Sequence, residues 1–175
     1  MEPGTPATPP IADVRPHVLV SHGHRRTDPY HWLRDDRRAN LEVLAYLQAE
    51  NAYRKAMLAP VDPLTERLVK ELEGRVKKDD SSVPSRIDSY LYYSRFEVGK
   101  EYPIHCRRRE TMQAAEEILL DLNQMSEGHA YFSVSTQTVS DDENLLAWAE
   151  DTVSRRVYTI RVKDLRTGEV LQDRI

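Results

Sequence analysis

The chain is 175 residues long, enough for one ordinary domain or for one domain and part of another. Its 25 Lys and Arg residues stand against 29 Asp and Glu, and this slight acidic excess argues against a dedicated nucleic-acid binder. A hydrophobic content of 39% is too high for a wholly disordered chain. Apolar runs are only a few residues long, the first ten residues lack a secretory h-region, and the single cysteine has no internal disulfide partner. We therefore expect a cytoplasmic protein with no membrane and no nucleic-acid partner.

Prolines at positions 3, 6, 9, 10 and 16 predict an extended arm over residues 1–16, because proline fixes φ and lacks a backbone donor. The brief apolar run Val18–Val20 follows it. Asp28-Pro29 indicates a turn or a helix entry, since the residue before proline is pushed out of the α region.

Two helices are predicted next. The segment Arg38–Ala59 contains neither glycine nor proline, and it carries apolar residues on more than one face, which favours packing against more than one neighbour. In the second helix Asp62 is placed as the cap and Pro63 as the first helical residue. Its apolar stripe consists of Leu64, Leu68, Val69, Leu72 and Val76.

From Asp79 onward the pattern changes to short strands separated by turn residues. The first set of four is Val83–Ile87, Tyr90–Phe96, Tyr102–Arg109 and Glu116–Leu122. The second set is Ala130–Thr138, Asn144–Glu150, Val157–Lys163 and Glu169–Ile175.

The two sets resemble a repeat, because Tyr90 and Leu145 lie 55 positions apart, as do Tyr102 and Val157. A four-stranded unit of this period is typical of β-propeller blades, although two meanders of a β-sandwich remain an alternative. The prediction is an α+β chain in two domains. Residues 1–78 form the arm and helices, and residues 79–175 form about two blades, at 79–124 and 129–175. Since a propeller needs about 4–8 blades to close, we expect this chain to be the beginning of a larger protein.

The sequence contains neither the G-x-S-x-G motif of a nucleophile elbow nor a glycine-rich nucleotide-binding loop. One candidate metal site remains, formed by His22, His24 and His31 with Asp28. Arg25 and Arg26 oppose a cation there, so histidines in a hydrogen-bonded surface loop are the favoured interpretation.

The other chemically notable residues favour structural roles. Cys106 and His105 are adjacent in a strand and point to opposite faces, so Cys106 is predicted to be a small buried residue. The triplet Arg107–Arg109 is interpreted as a solvated turn rather than a phosphate site. Core or interface roles are favoured for Trp32 and Trp148 over ligand stacking. The pair Asp35-Asp36 is interpreted as a solvated helix start, with contact to a second domain as the alternative.

Several motifs in order resemble a known family. Asp28–Asp36, followed by a helix containing Ala49–Tyr53, resembles the opening of the prolyl oligopeptidase family of serine peptidases. Further stretches are similar to its oligopeptidase B branch: Asp79–Pro84, Tyr92–Glu97, Gly99–Pro103, Leu120–Asn123 and Leu146–Asp151. The resemblance covers nearly everything after Pro16.

The resemblance implies an N-terminal segment that packs on a C-terminal α/β-hydrolase domain, and a seven-bladed propeller that covers the active site. It implies cleavage of short peptides after Arg or Lys by a serine nucleophile. The family's Ser, Asp and His lie beyond Ile175, so no catalytic, cofactor-binding or metal residue is assigned to this chain. The chain alone is expected to be inactive and to partner the missing blades and the hydrolase domain. The alternatives are a stand-alone helix and β-sheet interaction module, and a metal-dependent hydrolase at the histidines.

Overall fold

The computed structural model describes residues 8–175, so the first seven residues of the predicted arm lie outside the described part. An antiparallel hairpin comes first, with strands β1 (His17–Ser21) and β2 (His24–Asp28). His22 and Gly23 form its turn with φ of 50° and 80°, as a two-residue hairpin turn requires. Only the apolar run in β1 was predicted, and the hairpin itself was not.

The first long helix, α1, spans Leu41–Leu58 and starts three residues later than predicted. Arg38 has a φ of 53°, outside the right-handed helical region, so the helix cannot include it. Asn40 is the N-cap, and its side chain accepts a hydrogen bond of 3.0 Å from the backbone N–H of Glu42.

The second helix, α2 (Asp62–Arg75), follows α1 through a single 3-10 turn at Ala59–Val61. The prediction that Asp62 caps this helix is wrong. Its φ of −52° and ψ of −44° are already helical, so Asp62 is the first residue of α2 and not a flanking cap. Pro63 is tolerated one position later because the first turn of a helix leaves backbone N–H groups unpaired.

The chain separates into two compact units after Arg75. The second unit begins with a four-stranded antiparallel sheet in sequence order. All four predicted strands are present with shorter bounds: β3 (Ser85–Ile87), β4 (Tyr90–Arg95), β5 (Ile104–Arg109) and β6 (Glu116–Asp121). Strand β3 is short because Pro84 cannot donate a backbone hydrogen bond, and pairing resumes at an isolated bridge between Ser81 and Arg95.

A short helix, α3 (Leu122–Met125), is capped by Asp121 and precedes a three-stranded antiparallel sheet. Its strands are β7 (Ser133–Val139), β8 (Leu145–Asp151) and β9 (Thr159–Asp164). The predicted fourth strand, Glu169–Ile175, is wrong as a strand. The segment meets β9 through one bridge, between Val170 and Lys163, and through separate backbone hydrogen bonds such as Leu171 N–H to Val162 O at 2.8 Å.

The core of the second unit lies between its two sheets. Leu146 and Trp148, 0% and 4% exposed, project from β8 on the face that meets Leu119 and Leu120 of the first sheet. Phe132 and Leu122 complete this cluster. Helices followed by small antiparallel sheets therefore confirm the coarse architecture that was predicted. No helix among the described residues is long and apolar enough to cross a membrane.

Candidate functional site

The histidines that were considered as metal ligands have separate structural roles. His22 lies in the hairpin turn, and His24 begins β2. The ring of His31 stacks on His17 with centroids 4.2 Å apart, and its Nδ1 atom lies 3.9 Å from Asp28. Among residues 8–175, no three His, Cys, Asp or Glu side chains are grouped as a metal ion requires.

Cys106 is buried, as predicted, with 1% of its surface exposed between Tyr93 and Ile104. Burial raises the pKa of this thiol to about 11, so it is protonated at neutral pH and is a poor nucleophile. Burial also lowers the pKa of the neighbouring His105. The two side chains belong to opposite faces of β5 and do not form a catalytic pair.

Arg107 corrects the prediction that the arginine triplet is a solvated turn. It lies inside β5 and is 4% exposed. Its Nε donates to Glu117 at 2.8 Å, and its Nη1 donates to the backbone oxygen of Glu143 at 3.0 Å. The guanidinium carbon lies 3.9 Å above the ring of Tyr90. Because Glu143 precedes β8, this side chain joins the two sheets.

A second charged network covers the other face of the first sheet. Arg95 donates to Glu116 through Nη2 at 2.9 Å and Nε at 3.1 Å. Tyr93 donates its hydroxyl proton to Glu116 at 2.5 Å and accepts from Arg108 Nε at 2.7 Å. Burial opposes ionisation of Glu116, but hydrogen bonds from Arg95 and Tyr93 prevail and lower its pKa. This network was not predicted, because its members are separated in the chain.

Trp32 has partners within the first unit. Its indole Nε1 donates to the backbone oxygen of Asp13 at 2.8 Å, and its ring meets Tyr46 edge-on at 6.0 Å. The Arg15 guanidinium lies 4.4 Å from the ring centroid and also donates to Glu42 of α1 at 2.9 Å. The described part of the predicted arm is therefore held against α1 and Trp32.

The apolar stripe of α2 is uncovered in this chain. No residue of α2 is buried, and Leu64, Leu68 and Leu72 are 45%, 45% and 60% exposed. In α1, Val43 is buried, but Leu41 and Met57 are exposed. A stripe spaced by four residues is a continuous apolar face, and such a face marks a contact surface when it is exposed.

The aspartates at the helix entry have local partners, in keeping with the favoured interpretation of a helix start. Asp35 accepts from the backbone N–H of Asn40 at 2.7 Å and of Arg37 at 3.2 Å, and Asp36 pairs with Arg34 at 3.1 Å. The hydrogen bond from Asn40 is the main cause that lowers the pKa of Asp35. These acids fix the loop before α1, so their observed contacts are local.

The helices and small antiparallel sheets match the N-terminal segment of a beta-propeller domain. The chain belongs to the prolyl oligopeptidase family, since residues 9–175 match its N-terminal beta-propeller domain. It is 48% identical to dipeptidyl aminopeptidase BI of Pseudoxanthomonas mexicana, over 97% of this chain and 26% of that protein. It is 39% identical to protease 2 of Moraxella lacunata, over 95% of this chain and 24% of the relative.

Solved structures agree with the family assignment. Oligopeptidase B from Leishmania major matches with a TM-score of 0.84 and 31% identity, over 97% of this chain and 26% of that one. Oligopeptidase B from Trypanosoma brucei matches with a TM-score of 0.80 and 31% identity, over 96% of this chain and 26% of that one. The chain thus spans about a quarter of the length of these relatives.

Proposed function

We propose that this chain is the N-terminal part of a serine oligopeptidase whose full-length form hydrolyses short peptides after Arg or Lys, in the cytoplasm. The chain lacks the catalytic domain and supplies propeller sheets and interdomain scaffold. The match of residues 9–175 to the family's propeller domain carries this proposal. The likeness to two oligopeptidase B structures at 31% identity supports the choice of substrate.

The proposed division of labour follows the residues. Residues 1–78 form the arm and helices that pack on an α/β-hydrolase domain, and residues 79–175 form the first two blades, at 79–124 and 129–175. The exposed leucines of α2 supply the apolar contact for the hydrolase domain. The sheet that ends at β9 supplies the contact for the next blade. The propeller limits entry to the active site, so that only short peptides reach it.

A second candidate function is the removal of dipeptides from the amino terminus of peptides. It is favoured by the 48% identity to a relative that is named a dipeptidyl aminopeptidase, which exceeds the identity to oligopeptidase B.

A stand-alone interaction module without catalysis is the non-enzymatic alternative. The exposed α2 stripe is compatible with it, because any protein partner with an apolar groove would cover that stripe.

Substrates with a blocked and with a free amino terminus separate these functions. The full-length protein that carries this segment is assayed with an N-blocked Arg or Lys amide and with free dipeptide amides. We expect cleavage of the N-blocked basic substrates. Cleavage restricted to free dipeptide amides would establish the second candidate, and a folded full-length protein that cleaves neither would overturn both. The 175-residue chain alone is expected to cleave neither.

The scaffold role is tested by replacing the matching segment of dipeptidyl aminopeptidase BI with this chain. Leu68→Asp in this chimaera should lower stability and activity, because it places a carboxylate in the proposed apolar interface. In the isolated chain the same variant should leave the melt unchanged, since Leu68 is 45% exposed there. Lys70→Asp, on the same helix outside the stripe, is the control. Equal effects of the two variants in the chimaera would contradict docking through the stripe.

A further inference from the structure

The extended segment before β1 is joined to the rest of the first unit by few backbone contacts. We call residues 8–16 the strap; they contain neither helix nor strand. The backbone N–H of Arg15 donates to the backbone oxygen of Pro29 at 2.9 Å, and the backbone oxygen of Asp13 accepts from Trp32 Nε1 at 2.8 Å. Among residues 8–175, these are the two hydrogen bonds that join the backbone of the strap to other segments. The backbone alone therefore holds the strap weakly.

The side chain of Arg15 supplies most of the remaining contacts of the strap. Its Nη1 donates to Glu42 of α1 at 2.9 Å, and its Nη2 donates to Asp13 at 2.9 Å and also contacts Glu42. The guanidinium carbon lies 4.4 Å from the centroid of the Trp32 ring. The side chains of Arg15, Glu42 and Asp13 are 41%, 54% and 72% exposed. The strongest attachment of the strap is thus ionic and lies in water.

The first half of the strap lies over an apolar groove without filling it. A cavity of about 410 Å³ remains between the strap and the groove, bordered by Pro10, Ile11 and Ala12 of the strap and by Tyr30, Leu33 and Tyr46 opposite. The larger apolar side chains of the strap point to solvent, since Ile11 is 87% and Val14 is 65% exposed. Apolar burial therefore contributes little to holding the strap in place.

The seated and the released forms of the strap are close in free energy. Seating it fixes the backbone of residues 8–16, which costs conformational entropy. The prolines at positions 9, 10 and 16 reduce that cost, because their φ is fixed in the released form as well. Exposed ion pairs are individually weak and are screened by salt, so the contacts that offset the entropy are few and sensitive to charge. The charge of Arg15 therefore decides which form prevails.

We propose that the strap is a releasable cover of the turn at residues 30–33 and that Arg15 is its ionic latch. In the seated form the ring of Trp32 is held between Arg15 and Tyr46. When the pair of Arg15 with Glu42 is screened or removed, the strap leaves the groove, and Leu33 and Tyr46 lose their cover. The latch thus controls the exposure of an apolar patch on the first unit. This device goes beyond the proposed function and does not rest on it.

Release is measured on the 175-residue chain with a nitroxide attached at Ile11→Cys. Ile11 is 87% exposed, so the label is tolerated, and the buried Cys106 is a poor nucleophile that stays unlabelled. The readout is the paramagnetic broadening of the amide NMR signals of Leu33 and Tyr46. We expect strong broadening in about 0.01 M sodium chloride and an at least threefold weaker effect in about 1 M, where the Debye length falls from about 30 Å to about 3 Å.

Two variants test the latch in the labelled chain. Arg15→Met keeps the aliphatic stem and removes the charge, so the broadening should already be weak at low salt. Glu42→Gln keeps the shape of the partner and removes its charge, so the strap should be released at a lower salt concentration than in the parent. Arg25→Met, which removes an exposed arginine of β2 outside the strap, is the control and should behave as the parent does. Far-UV circular dichroism and the emission of buried Trp148 establish that each variant is folded.

Three results would overturn the proposal. Broadening that persists in high salt and in Arg15→Met would show that apolar contacts hold the strap without a latch. Absence of broadening at low salt in the parent would show that the strap is not seated in the groove. An equal loss in Arg25→Met would show that net charge, and not the pair of Arg15 with Glu42, governs release. The salt series on the parent decides the question even if a variant fails to fold, and none of these results depends on a cleavage assay.

Discussion

Replacing Arg107 with Met should destabilise the second unit substantially. The side chain is 4% exposed, donates to Glu117 and to the backbone oxygen of Glu143, and lies over Tyr90. Methionine keeps the aliphatic volume and removes the charge with its hydrogen bonds. Removing one partner of a fully buried ion pair costs about 3–5 kcal/mol.

The expected cost here is smaller, because the Glu117 side chain is 44% exposed and regains water when Arg107 is lost. The backbone oxygen of Glu143 loses a charged donor, worth about 1.5–3 kcal/mol, and the contact with Tyr90 adds about 1 kcal/mol. Because the variant no longer buries a charged guanidinium, the free-energy cost of that burial disappears and offsets part of this sum. A net loss of about 2 kcal/mol follows.

The assay is urea unfolding followed by the emission of Trp148, in a Trp32→Phe background that leaves one tryptophan. With a denaturant slope of about 2 kcal/mol per molar, the midpoint should fall by about 1 M. Arg109→Met is the matched control, because Arg109 is in the same strand two positions away and is exposed. It should change the free energy of unfolding by less than about 0.5 kcal/mol. Coincident curves for the two variants would refute the bridging role of Arg107.

Three further outcomes are expected. Cys106, whose thiol pKa is raised to about 11 by burial, should react with iodoacetamide at pH 8 far more slowly in the folded chain than in urea, and equal rates would contradict its burial. The lowered pKa of Glu116 contributes stability that is present above its unfolded pKa near 4.5 and is lost as the pH falls through the lower folded value. Glu116→Gln should therefore flatten the decline of the urea midpoint between pH 5 and 3, and an unchanged decline would assign it to other acids. Trp32→Ala in the full-length enzyme should lower the melting temperature while leaving turnover at low temperature unchanged, and an unaltered melt would show that its contacts with Asp13 and Tyr46 are dispensable.

Local patterns predicted most of the second unit, because strand alternation and turn residues act over short distances. Seven of the eight predicted strands are present within a few residues of their expected bounds. The eighth failed because β9 pairs with Val170 at one position only, and a propensity for strand does not ensure a continuous partner. The hairpin at His22-Gly23 was missed because its second strand, His24–Asp28, is polar and lacks alternation.

Long-range contacts explain the remaining errors. The sequence pattern favoured a solvated turn for the triplet Arg107–Arg109. Arg107 is nevertheless buried, because the backbone oxygen of Glu143, 36 positions away, accepts a hydrogen bond from it. The Arg95–Glu116 pair has no local signature either, since it depends on how β4 and β6 are placed on either side of β5. A core role for Trp148 was predictable because it lies in the continuous apolar run of residues 145–149, which is typical of a strand covered on both faces.

The two sheets differ on the faces that they turn away from each other, and this difference gives the stack a direction. In β8 the alternation puts Leu146 and Trp148 toward the first sheet and Ala147 and Ala149 on the opposite face. There the register places Val162 beside Ala147 and Ile160 beside Ala149, so the centre of the face is small and apolar. Thr136 and Thr138 of β7 flank this centre, and Asp151 and Asp164 lie at the ends of the face. On the first sheet, the corresponding outer face is covered by the network of Arg95, Glu116, Arg108 and Tyr93, whose charges already satisfy one another. Apolar burial therefore favours addition of the next sheet beside β7, β8 and β9, in the order of the chain, because burying the network would require desolvating paired charges.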